Sequence, residues 1–256
     1  MAYERFSLSP EVHYKRNETI RRRIGGGDGR NHRETPWPDS TRPWRIIRSG
    51  ETLTYAAHRV LLYRQPLARE FNRSEISRNF PAINTILPEN EAYRKDMLRG
   101  FDQFRITIDG LVARSCDFSL AELKRFPSRT QVTEHICEQG WSAIAEWTGV
   151  PLSLVLQSAG ILPQAKYVFI TSVDDWWDSL DMADAFHPQT LLAYGMNGRD
   201  LPVPHGAPVR LRVERQLGYK NLKYVSSITV ADTAKDFGEG QGAQGAEHGY
   251  SWYAGI

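Results

Sequence analysis

Apolar positions are sparse and aperiodic over the first 50 residues, where "GGGDGR" and "TPWPDSTRP" interrupt every candidate period and Arg, Pro and Gly dominate, with more basic than acidic residues. Such a stretch predicts an extended arm draped over a domain, or a segment without fixed structure. The first regular pattern follows in "ETLTYAAHRVLLYRQP", which places Leu53, Ala56, Ala57, Val60 and Leu61 on one helical face and Arg59 and Arg64 elsewhere, with Pro66 as the stop. A basic amphipathic helix of this kind suits a membrane or a partner subunit; packing on the core is the simpler reading and the one expected here.

From Phe101 the period changes. "FRITIDGLV" alternates Phe104, Ile106 and Ile108 as inward residues of a strand, and Asp109-Gly110 predicts a turn that reverses it. "SLAELKRFP" has Ser119 and Glu122 at capping-box spacing and predicts a short helix before Pro127. In "VPLSLVLQSAGI", Pro151 fits a first helical position, Leu152, Val155, Leu156 and Ala159 share a face, and Gly160 ends the helix. "KYVFITS" reads as a buried strand. "PVRLRVE" reads as a strand with Val209, Leu211 and Val213 on one face and Arg210 and Arg212 on the other. Two arginines on one strand face form either an anion site or a solvated face, and the pattern alone leaves both open. "GEGQGAQGAEHG" predicts a flexible loop, and the aromatic ending "YSWYAGI" predicts a terminus that docks back onto the body. No internal repeat is present.

Composition narrows the function classes. A chain of 256 residues with 41% hydrophobic content can bury a substantial core. With 32 basic against 30 acidic residues, the net charge of +2 gives no reason to expect nucleic-acid binding. No run of about 18 apolar residues predicts a spanning helix. "RRRIGG" is followed by glycines and polar residues where a secretory h-region would stand, so the expected location is the cytoplasm, or the periplasm if an N-terminal export segment is missing. Cys116 and Cys137 form neither a disulfide framework nor a CxxC site.

Cys137 lies in "TEHICEQGWSAIAEWTGVPL", between His135 and Trp141. On residue type alone it is a nucleophile helped by a histidine, a zinc ligand with His135, a thiolate for a softer metal, or a buried small hydrophobe. Zinc is the weakest of these, because His-x-Cys supplies two ligands and no nearby pair completes a tetrahedron.

"CEQGWSAIAEWTGVPLSLVL" resembles the segment that carries the molybdenum-binding cysteine in the sulfite oxidase family, in the branch of the bacterial protein-methionine-sulfoxide reductase catalytic subunit. "HPQTLLAYGMNGRDLPVPHGAPVRLRVERQLGYKNLKYVSSITV" is similar to that family's second signature, an HGxPxR element followed by a lysine-bearing turn, and the likeness runs from about Phe80 to the C-terminus. It implies a mixed α+β fold, a sulfite oxidase-type molybdopterin-binding domain over residues 71–256, preceded by the arm and amphipathic helix over residues 1–70. It also implies a molybdenum–molybdopterin cofactor and oxygen-atom transfer coupled to two-electron exchange. Cys137 matches the metal ligand. Arg210 and Lys223 match residues at the phosphate end of the pterin, with Asn221 and Leu222 offering backbone contacts. His205 occupies the HGxPxR histidine, Ser172 falls where the branch has a cofactor-binding threonine, Asn84 in "FPAINT" matches an asparagine near the metal, and His187 in "AFHPQT" is placed at the active-site mouth.

Departures from the family carry information too. Ile83 precedes Asn84 where sulfite oxidases have an anion-binding arginine, so sulfite is not the expected substrate. No counterpart of the haem domain of the animal sulfite oxidases or of the C-terminal immunoglobulin-like dimerisation domain is expected, and the sequence contains no CxxCH and no cysteine cluster. The expected protein is a monomer that acts on a small-molecule or peptide-borne substrate and exchanges electrons with a separate partner, a cytochrome or membrane haem subunit. The alternative is a metal-free or electron-relay protein that keeps the fold without substrate turnover.

Overall fold

Alternation over residues 104–108 becomes β1 (Arg105–Gly110), with Ile106 and Ile108 fully buried. In the computed structural model the described residues are 67–256 except residue 254, together with residues 53, 55–57 and 60. The arm expected over the first 50 residues lies outside them. A short helix, α1 (Glu91–Leu98), precedes β1; the Asn90 side chain caps it by accepting from the Tyr93 amide. The Asp109-Gly110 pair does not reverse the chain as expected. Both residues stay in β1, registered against Thr229 and Val230 of a parallel neighbour, and the reversal comes later, before β2 (Cys116–Ser119). Gly110 is required there because a Cβ would collide with the Val230 carbonyl.

The Ser119–Glu122 capping box forms as the spacing predicts, with Ser119 Oγ accepting from the Glu122 amide at 3.1 Å, and opens α2 (Leu120–Leu123). Next come the antiparallel pair β3 (Arg129–Ile136) and β4 (Ser142–Pro151). Pro151 ends β4 and caps α3 (Leu152–Ala159), whose four predicted apolar residues are buried and whose end is fixed by left-handed Gly160. The remaining elements are β5 (Tyr167–Ser172), β6 (Trp177–Asp181), α4 (Met182–Ala185), β7 (Leu191–Met196), β8 (Arg199–Asp200), β9 (Arg210–Arg212), β10 (Val225–Ala231) and α5 (Gln244–Glu247).

The fold is mixed α+β. One sheet has the order β2-β1-β10-β5-β6, with β1 and β10 parallel; the other has β3-β4-β7-β8, with β9 also paired to β7. Ile106, Ile108, Ile170 and Ile228 of the first sheet meet Leu192 and Leu211 of the second and Leu156 of α3 in one core. The register Ala193↔Arg210 and Gln131↔Trp147 sends Arg210, Arg212, Trp147 and His135 to the opposite face of the second sheet, and that face carries the site.

Two other expectations meet the structure at the C-terminal end. The glycine-rich stretch is not simply flexible: Ala243, Gln244, Gly245 and Ala246 are buried, and Gln244 Oε1 accepts from the Trp177 amide at 3.2 Å. The aromatic terminus docks as expected, with Tyr253 buried and Trp252 Nε1 donating to Ser179 Oγ at 2.8 Å. The expected packing of the 53–61 helix face on the core is corrected. Leu53 and Val60 are 71% and 77% exposed, and Ala56 and Ala57 are exposed; Leu61 lies outside the described residues. Tyr55 docks instead, edge-on to Trp252 and Tyr253 with its hydroxyl donating to Asp181, because a ring with a polar tip fits that aromatic, carboxylate-bearing surface. No helix among the described residues is long and apolar enough to cross a membrane.

Candidate active site

Cys137 leaves the end of β3 in a tight turn that returns as β4. Its amide donates to the Trp141 carbonyl at 2.9 Å, and Gly140, at φ 88°, donates back to the Cys137 carbonyl. The thiol is buried, with Glu138 Oε2 at 3.6 Å. Burial pushes its pKa up and Glu138 adds to the rise, while the Gln139 amide opposes it, so the free protein keeps the proton on sulfur. A soft metal displaces that proton when it binds.

Around the thiol lies a pocket of about 440 Å³, part of it open to solvent. Asn84, Cys137, His205, Arg210, Asn221 and Lys223 all line it, so six of the nine residues singled out by sequence come together from five separate stretches of chain. The other three do not line it. Ser172 is buried at the end of β5, where its hydroxyl bonds Asp174 in the turn to β6. His187 is buried after α4, with Nδ1 accepting from the Gln189 amide at 3.3 Å, away from the pocket mouth assigned to it by resemblance. Leu222 turns its side chain into the main core, and its carbonyl accepts from the Leu211 amide at 2.7 Å.

Cations dominate the pocket. Arg210 is 4% exposed and donates to the His205 and Asn221 carbonyls at 3.0 Å each; among the described residues it has no carboxylate hydrogen-bond partner, and its Nε–H is buried with no acceptor. Burial, together with Arg212, pushes its pKa down to about 9, so it stays charged at neutral pH. The solvated-face reading of these arginines is thereby overturned: Arg212 is 1% exposed and chelated by Glu214, and both guanidinium groups lie over Trp147 at 5.0 and 4.4 Å.

Lys223 uses all three ammonium protons on carbonyls, those of Ile83 at 2.7 Å, Pro204 at 3.1 Å and Thr85. Tyr224 Oη donates to the Thr85 carbonyl as well, so the loop that presents Asn84, at φ 58°, is stapled from below. Burial, with Arg210 assisting, holds Lys223 down to about 8. His205 falls to about 4 through burial, Arg210 and Lys223, and is neutral at pH 7. Asn221 is occupied internally, its Oδ1 accepting from the Val213 amide at 2.7 Å and its backbone carbonyl held by Arg210.

Several residues were missed by sequence reading as parts of the site. Phe80 sits 5.5 Å from the rings of His135, Trp147 and His205 and 6.0 Å from Trp141, and Tyr219 and Glu138 complete the wall. Phe80 and Tyr219 come from distant segments with no shared period, whereas Glu138 and Trp141, within four residues of Cys137, and Arg212, two residues from Arg210, carried a local signal. Gly218 allows close packing here, since a Cβ would lie 2.7 Å from His135 Nε2 and 3.3 Å from the Cys137 Cα. Among the described residues no group of three His, Cys, Asp or Glu is placed to hold a metal ion, so a protein-only zinc set is not available.

A buried thiol, a charged guanidinium with an open donor and no carboxylate bonded to it among the described residues, and two further cationic or hydrogen-bonding groups suit an anionic organic ligand that carries its own soft metal. The residues therefore fit a molybdopterin cofactor. The chain belongs to the oxidoreductase molybdopterin-binding domain family, whose model matches residues 94–237, and it is a molybdopterin-dependent oxidoreductase with a sulfite-oxidase-like fold.

Among particular relatives, it is 39% identical over 191 residues to the putative protein-methionine-sulfoxide reductase subunit YedZ1 of Azospira oryzae, covering 74% of this chain and 68% of that protein. It is 33% identical over 143 residues to the protein-methionine-sulfoxide reductase catalytic subunit MsrP of Xanthomonas axonopodis, covering 50% of this chain and 44% of that one. A solved structure, the sulfane dehydrogenase SoxCD of Paracoccus pantotrophus, shares 29% identity over 51% of this chain and 38% of its own, with a TM-score of 0.49. The chain thus spans less than half the length of that MsrP.

Proposed function

We propose that this chain is the cofactor-bearing catalytic part of a reductase for methionine sulfoxide, free or in peptides, that receives its electrons from a separate protein. The observation that carries the proposal is the coincidence, in one pocket, of the Cys137 thiol with Arg210, whose Nε–H has no acceptor among the described residues. The net reaction takes up two electrons and two protons, converts the sulfoxide to a thioether and releases its oxygen as water. When bound, molybdopterin supplies the two-electron, oxygen-exchanging centre. Cys137 would hold the metal through its thiolate, and Arg210, with the field of Lys223, would hold the anionic pterin, each charge-assisted contact contributing about 1.5–3 kcal/mol. His205 and Asn84 add neutral hydrogen bonds.

Toward substrate the chain presents Phe80, Trp141, Tyr219 and Ile83, walls suited to the polarisable sulfur and methyl groups of a methionine side chain. Ile83 gives the pocket an alkyl group next to Asn84, and its carbonyl serves Lys223, so nothing at that position recognises the sulfite dianion. The reductase names of the relatives support the substrate, and the description of one as a subunit supports a separate electron donor.

Protein produced in a molybdenum-competent host should contain molybdenum and reduce methionine sulfoxide with a reduced viologen dye as donor. It should leave sulfite nearly untouched. Cys137→Ser should remove one sulfur neighbour at the molybdenum absorption edge and abolish turnover, while Cys116→Ser, in β2, leaves both intact. A wild-type protein without molybdenum, or one that oxidises sulfite faster than it reduces sulfoxide, would sink this reading.

A further inference from the structure

We infer that His135 is a fixed hydrogen-bond donor of this pocket, its Nε2–H kept available to an oxygen or nitrogen acceptor of the bound ligand because Arg212 occupies Nδ1. The inference rests on the cofactor reading for the ligand, though not for the donor itself. Arg212 Nη1 lies 2.8 Å from His135 Nδ1. A guanidinium has only donors, so Nδ1 must accept, and the proton of the imidazole must sit on Nε2.

The clamp is itself held. Arg212 Nε and Nη2 bond the two oxygens of Glu214 at 3.1 and 2.6 Å, and Glu214 Oε1 also accepts from Gln131 Nε2 at 3.0 Å. The Arg212 and Glu214 side chains are 1% and 0% exposed, so this pair has no solvent competitor. Phe80 and Trp141, each 5.5 Å from the imidazole centroid, fix the ring orientation.

The Nε2 edge faces the wall formed by Gly218 and Cys137, and it stays open only because residue 218 has no side chain. His135 is 93% buried by its 7% exposure, lines the pocket, and has no hydrogen-bond partner for Nε2 among the described residues. Nε2 is not sealed off as Arg210 Nε is, so the donor opens to the pocket, where an acceptor atom of the ligand can take the place of water. The pocket thus pairs a charged donor, Arg210, with a neutral one beside the metal-binding thiol. Arg212 is the positioning residue for the second.

Nitrogen-detected NMR of the imidazole, assigned by loss of its signal in His135→Phe, tests the clamp in cofactor-free protein. The expected result is a protonated Nε2 and a bare Nδ1 in wild type, with mixed tautomers in Arg212→Met. A protonated Nδ1 in wild type overturns the inference. Loading the cofactor should then shift the Nε2–H resonance, and an unmoved resonance in molybdenum-loaded protein also overturns it. If the protein takes up no molybdenum, the cofactor reading falls by itself; dimethyl sulfoxide then serves as the acceptor probe, with the same two outcomes. In loaded enzyme, His135→Gln, which retains an amide N–H at the ε position, should keep activity to within a few-fold, whereas His135→Phe should lose about tenfold, one neutral hydrogen bond's worth. Equal losses in the two variants would assign His135 a packing role only.

Discussion

Two buried cations ten residues apart in sequence have opposite surroundings. Lys220 is 1% exposed, pairs with Asp178, donates to the Ser179 carbonyl at 2.8 Å and lies against Trp252. Arg210 is 4% exposed, yet among the described residues only neutral carbonyls accept from it, and the repulsion of Arg212 outweighs the attraction of Glu214, which is itself chelated by Arg212. Burial pushes the Asp178 carboxyl up, and Lys220 is the principal influence drawing it back, so the first pair is closed on itself. The second site is left positively charged in a pocket open to ligands. A cation whose partner is built in holds the fold together; one whose partner is missing is waiting for an anion.

The sharpest way to break this contrast is Lys220→Met, which leaves the Asp178 carboxylate buried and unpaired. Denaturant melts should show a loss of roughly 3–5 kcal/mol, most of it recovered in the double variant with Asp178→Leu. Arg210→Met should do the reverse. Removing an uncompensated buried charge should cost the cofactor-free fold little, within about 1 kcal/mol, while cofactor retention weakens by a factor of roughly ten to a hundred, measured by molybdenum content after dialysis. If Arg210→Met unfolds the protein and Lys220→Met does not, the comparison is inverted.

Deletion after Gly249 probes the closed end at a smaller scale, because Trp252 and Tyr253 bury rings while ordering a short tail opposes them. A net loss of about 1–2 kcal/mol is expected, and an unchanged melt would show the terminus to be dispensable. The smallest effect concerns pH. Lys223 titrates in the folded protein near 8, below the ordinary lysine range, so above that pH the unfolded chain binds more protons than the folded one. The contribution of this group to stability therefore rises with pH from about 8 toward the ordinary lysine value. In cofactor-free protein, melts of wild type and Lys223→Met compared at pH 7.5 and 9.5, values set on either side of about 8, should show the wild type gaining relative to the variant. Cofactor loading should erase the gain by returning the pKa upward.

Elements whose signals are local were legible in the chain. Ser119 and Glu122 meet because a capping box is a matter of three residues, and α3 ends at Gly160 because left-handed φ is a property of one. The polar faces were harder to read. Period-two alternation placed Arg210 and Arg212 together but could not say that Phe80, far upstream in the chain, packs beside them on Trp147 and His205. Gly110 was misread for the same reason: its need for no side chain comes from Val230, far along the chain. At the site, six residues were found through motif resemblance, whereas the aromatic wall and the His135 clamp exist only after β3, β9 and the loop before α1 converge.

The ammonium of Lys223, ringed by the carbonyls of Ile83, Thr85 and Pro204, does for this pocket what a bound potassium ion does in proteins that gather carbonyl oxygens around a metal. Here the ion is attached to the chain. It cannot be washed out or exchanged, and the turn that displays Asn84 inherits that permanence. The entrance to the pocket is thus part of the fold itself, and an arriving cofactor meets a doorway already framed.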